Sequence, residues 1–233
     1  MREVGGGLLA VLTWPGPGQE DELERWYEDD HLYERSAIDG ILCSRRYLSL
    51  DGDPPSLALY ELAAPEVVDS DAYLDARRLE DAAAAALPGG PPPPRMVNTI
   101  RNVYALRQSA GRHPGELGAF IWMVREGIAP EHEPDLDRWY EEHLPLVAAV
   151  PGVRGVTRYV ATLGVPRYLV LYELATAEVT RSEAWRRAFD TPSADVRARR
   201  TEVATNLGQY FKAVYPDEAR AELASWRHDQ ART

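Results

Sequence analysis

The sequence predicts an α+β fold in which two ferredoxin-like βαββαβ repeats face each other and close into one barrel. The first observation is a phrase that occurs twice, as "RWYEDDHL" at 25–32 and as "RWYEEHL" at 138–144. The second is that the similarity extends further, because residues 40–67 align with 152–179 at a constant shift of 112 positions. Two copies of this length indicate a duplicated domain and not a solenoid, which needs three or more repeats.

Each repeat is predicted to contain four strands and two helices. Apolar runs rich in branched and aromatic residues predict strands, and stretches that open on acidic residues predict helices. The short links "DGDPP" and "GVP" favour antiparallel hairpins. In the first repeat we expect a strand at 8–14, a helix at 20–36, strands at 41–50 and 56–62, a helix from about Asp69 and a strand at 98–106. In the second repeat the corresponding elements are 119–124, 133–149, 153–162, 167–174, a helix from about Arg181, and 208–216.

This order of elements is the split βαβ arrangement, an antiparallel sheet with both helices on one face. The other face of each sheet is apolar, and the two repeats can cover each other's apolar faces, which encloses a barrel with the helices outside. The predicted domains are residues 1–107 and 117–216, joined by a linker at 108–116. Residues 217–233 are predicted to form a C-terminal helical tail.

The composition is that of an ordinary globular protein and argues against several classes of partner. Of the 233 residues, 45% are hydrophobic and 27% are charged, and the formal net charge is −11. Because this charge repels phosphate groups and no basic run offsets it, we expect neither nucleic acid nor a membrane as a partner.

The single cysteine, Cys43, allows no intrachain disulfide, and no run of roughly 20 apolar residues is present. We therefore expect a cytoplasmic protein. Because the chain holds two repeats, we expect it to be either a monomeric pseudo-dimer or a homodimer.

The second repeat carries a recognisable pattern in "WYEEHLPLVAAVPGVRGVTRYVATLGVPRYLVLYEL" at 139–174. Its Trp–Tyr pair, acidic step, His-Leu-Pro, Pro-Gly, Arg-Tyr and Tyr-Leu-x-Leu-Tyr-Glu strand resemble the EthD-like branch of the dimeric α/β-barrel superfamily. The first repeat matches less fully, since Tyr33 and Asp39 stand where that pattern has prolines. The resemblance covers most of both repeats and implies a tandem pseudo-dimer. That superfamily includes cofactor-free monooxygenases, polyketide cyclases, lactone isomerases, decarboxylases, haem-binding enzymes and members with no known role.

Two histidines, His31 and His143, occupy equivalent positions in the first helix of the two repeats, and they are the catalytic candidates. His143 shares a largely apolar helix face with Trp139 and Tyr140, so we expect it between the helix and the sheet. A desolvated imidazole has a lowered pKa and stays neutral, as a general base requires. The alternative is a core histidine whose ring nitrogens bond to a tyrosine or a carbonyl, and the sequence leaves both interpretations open.

The first repeat has one residue more than the second between its tryptophan and its histidine. At about 100° per residue, the four-residue step from Trp139 to His143 keeps both side chains on one helix face, whereas the five-residue step from Trp26 to His31 does not. Either Tyr27 takes the role of Trp139, or a π-bulge absorbs the extra residue, a feature often found at functional sites. We therefore expect two pockets of different shape, of which one is fully active.

An arginine precedes a tyrosine on the second strand of each repeat, as Arg46-Tyr47 and Arg158-Tyr159. Because side chains alternate along a strand, either the arginines or the tyrosines face the helices. A buried arginine suits a substrate carboxylate or enolate, and the alternative is an ion pair with Glu61 or Glu173 of the next strand. The predicted substrate-binding residues are Trp26, Tyr27, Arg46, Tyr47, Tyr60, Trp122, Trp139, Tyr140, Arg158, Tyr159 and Tyr172.

The sequence lacks the motifs of metal and nucleotide sites, including the two-histidine zinc spacing and the glycine-rich phosphate loop. We expect chemistry without a metal or other cofactor, on a small apolar or aromatic substrate. The preferred hypothesis is histidine acid–base chemistry on an activated carbonyl compound of polyketide-like or aromatic metabolism, by a cyclase, isomerase, dehydratase or decarboxylase. The alternatives are a cofactor-free monooxygenase, a haem-binding member and a binding or accessory protein without turnover.

Overall fold

The computed structural model describes residues 3–50, 53–85, 96–113, 115–190 and 205–213. Its strands are β1 (Gly7–Pro15), β2 (Ile41–Ser49), β3 (Ser56–Leu62), β4 (Met96–Gly111), β5 (Phe120–Gly127), β6 (Val153–Leu163), β7 (Tyr168–Leu174) and β8 (Thr205–Ala213). Its α-helices are α1 (Glu20–Trp26), α2 (Leu32–Ser36), α3 (Asp71–Ala85), α4 (Glu133–Ala148) and α5 (Glu183–Asp190). The predicted C-terminal tail lies outside the described residues.

The eight strands form a closed antiparallel barrel in the order β1-β3-β2-β8-β5-β7-β6-β4, with β4 returning to β1. The last strand of each half joins the two halves, because β4 pairs with β1 and β6, and β8 pairs with β5 and β2. Both halves follow the βαββαβ order. The predicted fold, two ferredoxin-like units that close a single barrel, is therefore confirmed.

The interior of the barrel is a packed core to which both halves contribute. Leu8 and Leu57 from the first half lie in the same cluster as Ile121 and Leu169 from the second, and all four are buried. Fully burying one such side chain contributes about 2 kcal/mol, so this shared core holds the halves together. Side chains that alternate with these along each strand point outward, toward the helices.

A π-helix, Tyr27–His31, interrupts the first helical segment between α1 and α2. The residues that flank it keep helical backbone angles, with φ −59° and ψ −42° at Trp26 and φ −66° and ψ −37° at Leu32. The extra residue of the first half is thus accommodated within a continuous helical segment. In the second half, α4 runs from Glu133 to Ala148 as an uninterrupted α-helix. No helix in the described ranges is long and apolar enough to span a membrane.

Strand β4 continues to Gly111 and so includes the first four residues of the predicted linker. Beyond it, the buried ring of His113 contacts Ser109 Oγ through Nε2 and Glu173 Oε1 through Nδ1, each at 2.7 Å. Gly155 leaves the space for this ring, because a Cβ at that position would lie 2.3 Å from His113 Nδ1. These contacts hold the start of the second half against β7.

Candidate active site

Both halves place a histidine between the first helical segment and the outer face of the sheet. His143 stacks on Trp139 with ring centroids 3.9 Å apart and an interplanar angle of 26°. His31 stacks on Trp26 in the same way, at 4.1 Å and 29°. The π-helix makes this second pair possible. Its wider turn places two side chains that are five positions apart on the same face of the helix. Of the two alternatives for the extra residue, the structure has the π-bulge.

The second half seals its histidine in an aromatic cluster. His143 is 0% exposed, and its Nε2 lies 3.2 Å from the hydroxyl of Tyr172. The ring of Phe189 contacts it edge-on with centroids 4.3 Å apart. Trp122 packs on Tyr172 at 5.0 Å and on Trp185 at 5.5 Å. Within this arrangement His143 has no access to solvent, so a substrate cannot reach it without rearrangement of the cluster.

The first half instead has an open cavity of about 470 Å³ between its helices and sheet. Four predicted site residues line it, namely Trp26, Tyr27, His31 and Tyr60. The lining also includes residues that the sequence did not single out: Arg35, Tyr73, Arg77, Glu80 and Arg101. The structure therefore places the accessible candidate site in the first half.

The difference between the halves follows from the residues at equivalent positions. Leu9 pairs with Tyr60 on the sheet of the first half, and at the same register Trp122 pairs with Tyr172 in the second. On the second helix of each half, the shift of 112 positions aligns Arg77 with Phe189. Two large aromatic rings thus fill the space in the second half that remains open in the first.

Glu80 on α3 is the acidic partner of His31. Its Oε1 lies 3.1 Å from His31 Nδ1, within ion-pair distance although off the ideal hydrogen-bond direction. Its other carboxylate oxygen accepts a hydrogen bond from Arg35. Partial burial raises the pKa of the Glu80 carboxyl, but His31 and Arg35 outweigh this effect and the pKa is lowered overall. Glu80 is therefore a carboxylate at neutral pH.

Tyr60 also lines this cavity, and its hydroxyl group is buried. Its side chain is 2% exposed, and its ring lies edge-on to that of His31 with centroids 6.3 Å apart. Burial raises the pKa of Tyr60 well above its usual value, so the hydroxyl keeps its proton. Among the described residues this hydroxyl has no hydrogen-bond partner.

The candidate arginines of β2 and β6 face the helices, but each is held by its own contacts. Arg46 lies over the ring of Tyr27 at 4.5 Å and donates to the carbonyl of Leu23. Arg158 lies over the ring of Tyr140 at 4.4 Å and forms an ion pair of 2.6 Å with Asp137.

The adjacent tyrosines, Tyr47 and Tyr159, point the other way and belong to the core of the barrel. The structure therefore does not bring them together with either histidine. The glutamates considered as partners of the arginines, Glu61 and Glu173, also lie on that inner face, since each alternates with an outward-facing tyrosine.

No group of three or more His, Cys, Asp or Glu side chains within the described ranges is placed to hold a metal ion. The polar groups of the cavity are those of an organic-ligand site, in which a few directed donors and acceptors are set among aromatic walls.

No protein-family model matches the chain, and no curated protein matches its sequence. Solved structures match its fold. A candidate monooxygenase from Fusobacterium nucleatum superposes with a TM-score of 0.58 at 8% identity, over 91% of this chain and 94% of that one. An anthrone oxidase-like protein gives 0.57 at 12% identity, over 90% and 91% of the two chains. A mutant chlorite dismutase from Candidatus Nitrospira defluvii gives 0.57 at 13%, over 94% and 95%.

At these identities the likeness concerns the fold alone. The open cavity and its residues are features of this chain.

Proposed function

We propose that the protein is an enzyme that removes a proton from an activated carbonyl or phenolic compound, with His31 as the base. The observation that carries this proposal is the pairing of His31 with Glu80 at the wall of an open cavity, while the equivalent His143 is sealed. The substrate class is a polyketide-like or aromatic metabolite, because the cavity walls include the rings of Trp26 and Tyr73.

The chemistry follows from the two ring nitrogens of His31. A carboxylate next to Nδ1 favours the tautomer that carries its proton there, so that Nε2 has the free electron pair. The same carboxylate stabilises the imidazolium that forms when Nε2 takes a proton. Glu80 thus acts as a positioning residue, and its ionised state at neutral pH suits that role.

The electron pair of the broken C–H bond moves onto the carbonyl oxygen and forms an enolate. Tyr60 lines the same cavity, and its protonated hydroxyl, which has no acceptor among the described residues, is the donor that we assign to that oxygen. Return of the proton to another carbon completes an isomerisation. In a cyclisation the carbanion attacks a second carbonyl, and the alkoxide that forms takes the proton back from His31. Every route shares the first proton transfer, which is the step that these residues support.

The shared step is testable by hydrogen exchange at carbon. Anthrone in D₂O under nitrogen exchanges its acidic methylene hydrogens, and we expect the protein to accelerate this exchange. His31→Asn should lower the rate by roughly 100-fold or more, in the range usual for general-base groups. His143→Asn is the matched control, because it changes the equivalent ring in the sealed half, and its rate per folded molecule should stay within about threefold of wild type. Equal losses from both substitutions would overturn the assignment of the base.

A cofactor-free monooxygenase is the second candidate, and the fold neighbours favour it, since they include a candidate monooxygenase and an anthrone oxidase-like protein. In that reaction the carbanion formed by His31 reacts with molecular oxygen, which is the co-reactant and oxidant. Oxygen uptake with anthrone distinguishes the two candidates: a monooxygenase consumes oxygen as substrate disappears, whereas an isomerase or cyclase turns over under nitrogen. A Soret band after haem addition would instead favour a haem-binding role.

A binding protein without turnover makes a different prediction for the same experiment. It retains the ligand but leaves the exchange rate of anthrone at that of the buffer. Neither His31→Asn nor Glu80→Gln then changes any rate. This outcome would replace the enzymatic proposal with one of ligand storage or delivery.

A further inference from the structure

We infer that the cavity of the first half selects an aromatic compound with an anionic group, such as a carboxylate, which its arginines bind. The inference deepens the proposed function and rests on the same cavity, but it concerns binding and not proton transfer. It starts from the charges on the cavity wall. Three arginines, Arg35, Arg77 and Arg101, line the cavity together with a single carboxylate, that of Glu80. This local excess of positive charge occurs in a chain with a net charge of −11.

Two of these arginines form no ion pair with a carboxylate of the described residues. Arg77 has no ion pair within the described ranges. Arg101 donates to the hydroxyl of Tyr73 at 3.2 Å and lies over its ring at 5.5 Å, but it too has no acidic partner among the residues described. The guanidinium of Arg101 is oriented by Tyr73, that of Arg77 is exposed at the cavity, and each can bind a ligand carboxylate, often through two parallel hydrogen bonds.

Two residues of the cavity wall have buried donors without an acceptor among the described residues. Arg35 is 4% exposed, and its Nη1 has no hydrogen-bond partner in the described part of the chain. The hydroxyl of Tyr60 is in the same condition. Buried polar groups in native proteins are almost always hydrogen-bonded, so two unsatisfied donors on residues of one cavity wall favour a ligand that supplies oxygen acceptors.

The second half lacks all three cations, which connects them with the open cavity. The shift of 112 positions places Val147 at the position of Arg35 and Phe189 at that of Arg77. At the sheet register of Arg101, which pairs with Val11, the second half has Gly208 paired with Val124. The cations therefore accompany the accessible site and are not a feature that the common fold requires.

The test compares two probes of nearly equal shape, 1-hydroxy-2-naphthoate and its neutral carboxamide, by isothermal titration calorimetry at pH 7. We expect the carboxylate to bind at least tenfold more tightly than the carboxamide. Arg77→Gln and Arg101→Gln should each reduce this preference severalfold, and the double variant should abolish it. Arg78→Gln is the matched control, since Arg78 is an exposed neighbour on the same helix that pairs with Asp75, and it should leave the preference intact.

The result is independent of the proposed chemistry, because calorimetry measures the affinities of the two probes whether or not His31 acts as a base. Equal affinities for the two probes in the wild-type protein would overturn the inference. So would a preference that survives in the double variant, or the absence of carboxylate binding up to millimolar concentration. A thermal unfolding curve of each variant verifies that it is folded.

Discussion

His31 stacks on Trp26 with ring centroids 4.1 Å apart, although the two residues are five positions apart along the chain. A regular α-helix would place these side chains about 140° apart around its axis. The π-helix at Tyr27–His31 removes this difference and gives the pair nearly the same geometry as Trp139 and His143. The extra residue therefore does not separate the histidine from its aromatic partner.

This relationship predicts how each half responds to the loss of one residue. Deleting exposed Asp30 gives the first half the spacing of the second, so the segment should become a regular α-helix and keep its stack. We expect a change in the free energy of unfolding of less than about 1 kcal/mol, measured by urea denaturation. Deleting exposed Glu141 should instead cost roughly 3 kcal/mol, because it rotates His143 and Val147 away from the core. Similar losses in the two variants would contradict the role given to the π-helix.

The two histidines should differ in their contribution to stability. His143→Ala removes a fully buried ring that packs on Trp139 and Phe189, and we expect it to lower the free energy of unfolding by about 2 kcal/mol. His31→Ala removes a ring at the wall of an open cavity, so its cost should be less than about 1 kcal/mol. Chemical denaturation of the two variants measures both values. The opposite order would place the sealed histidine in the first half.

Glu80 should contribute to stability in a pH-dependent way. Because the pKa of its carboxyl is lowered in the folded state from an ordinary value of 4.5, the ionised group stabilises the protein above that pH. The contribution is lost as the pH falls below 4.5 toward the folded-state pKa. The melting temperature of the wild type should therefore fall more steeply than that of Glu80→Gln in this acid range. Asp75→Asn, which removes an exposed carboxylate from the same helix, should keep the wild-type slope.

The ion pair of Arg158 allows a matched comparison in the second half. Asp137 accepts hydrogen bonds from buried Arg158 and from exposed Arg107. Asp137→Asn leaves the buried guanidinium without its counter-charge and should cost about 2 kcal/mol, less than for a fully buried pair because Asp137 reaches solvent. Arg107→Gln removes the exposed interaction and should cost less than about 1 kcal/mol. Urea denaturation measures the loss in free energy of unfolding for both variants. Equal losses would show that the buried charge of Arg158 is not stabilised mainly by this carboxylate.

The fold was predictable because its evidence is repeated in the sequence. Two similar segments with alternating apolar strands and glycine-containing turns specify two βαββαβ units, and the uncovered apolar faces require the barrel. The aligned histidines were also predictable, since helical spacing places His143 on the apolar face with Trp139. The arginine–tyrosine dipeptides were less informative, because strand alternation alone does not say which of Arg46 and Tyr47 faces inward.

The polar residues of the cavity were missed for a physical reason. Arg77, Glu80 and Arg101 lie on α3 and β4, far in sequence from His31, and only the folded chain brings them together. An alignment of the two repeats identifies the residues that they share. The polar residues of the cavity are not shared, because the second repeat has other residues at the equivalent positions. The replacement of Arg77 by Phe189 at the equivalent position was the signal in the sequence that indicated which half is open.

The most direct test of this account is the response of the histidine rings to ligand in a ¹H–¹³C NMR spectrum of the protein labelled at histidine. Single His→Asn variants assign the imidazole signals of His31 and His143. Titration with 1-hydroxy-2-naphthoate should shift the His31 signals strongly and leave those of His143 in place. Shifts at His143 with none at His31 would contradict the account, because they would put the ligand in the half that the structure shows to be filled.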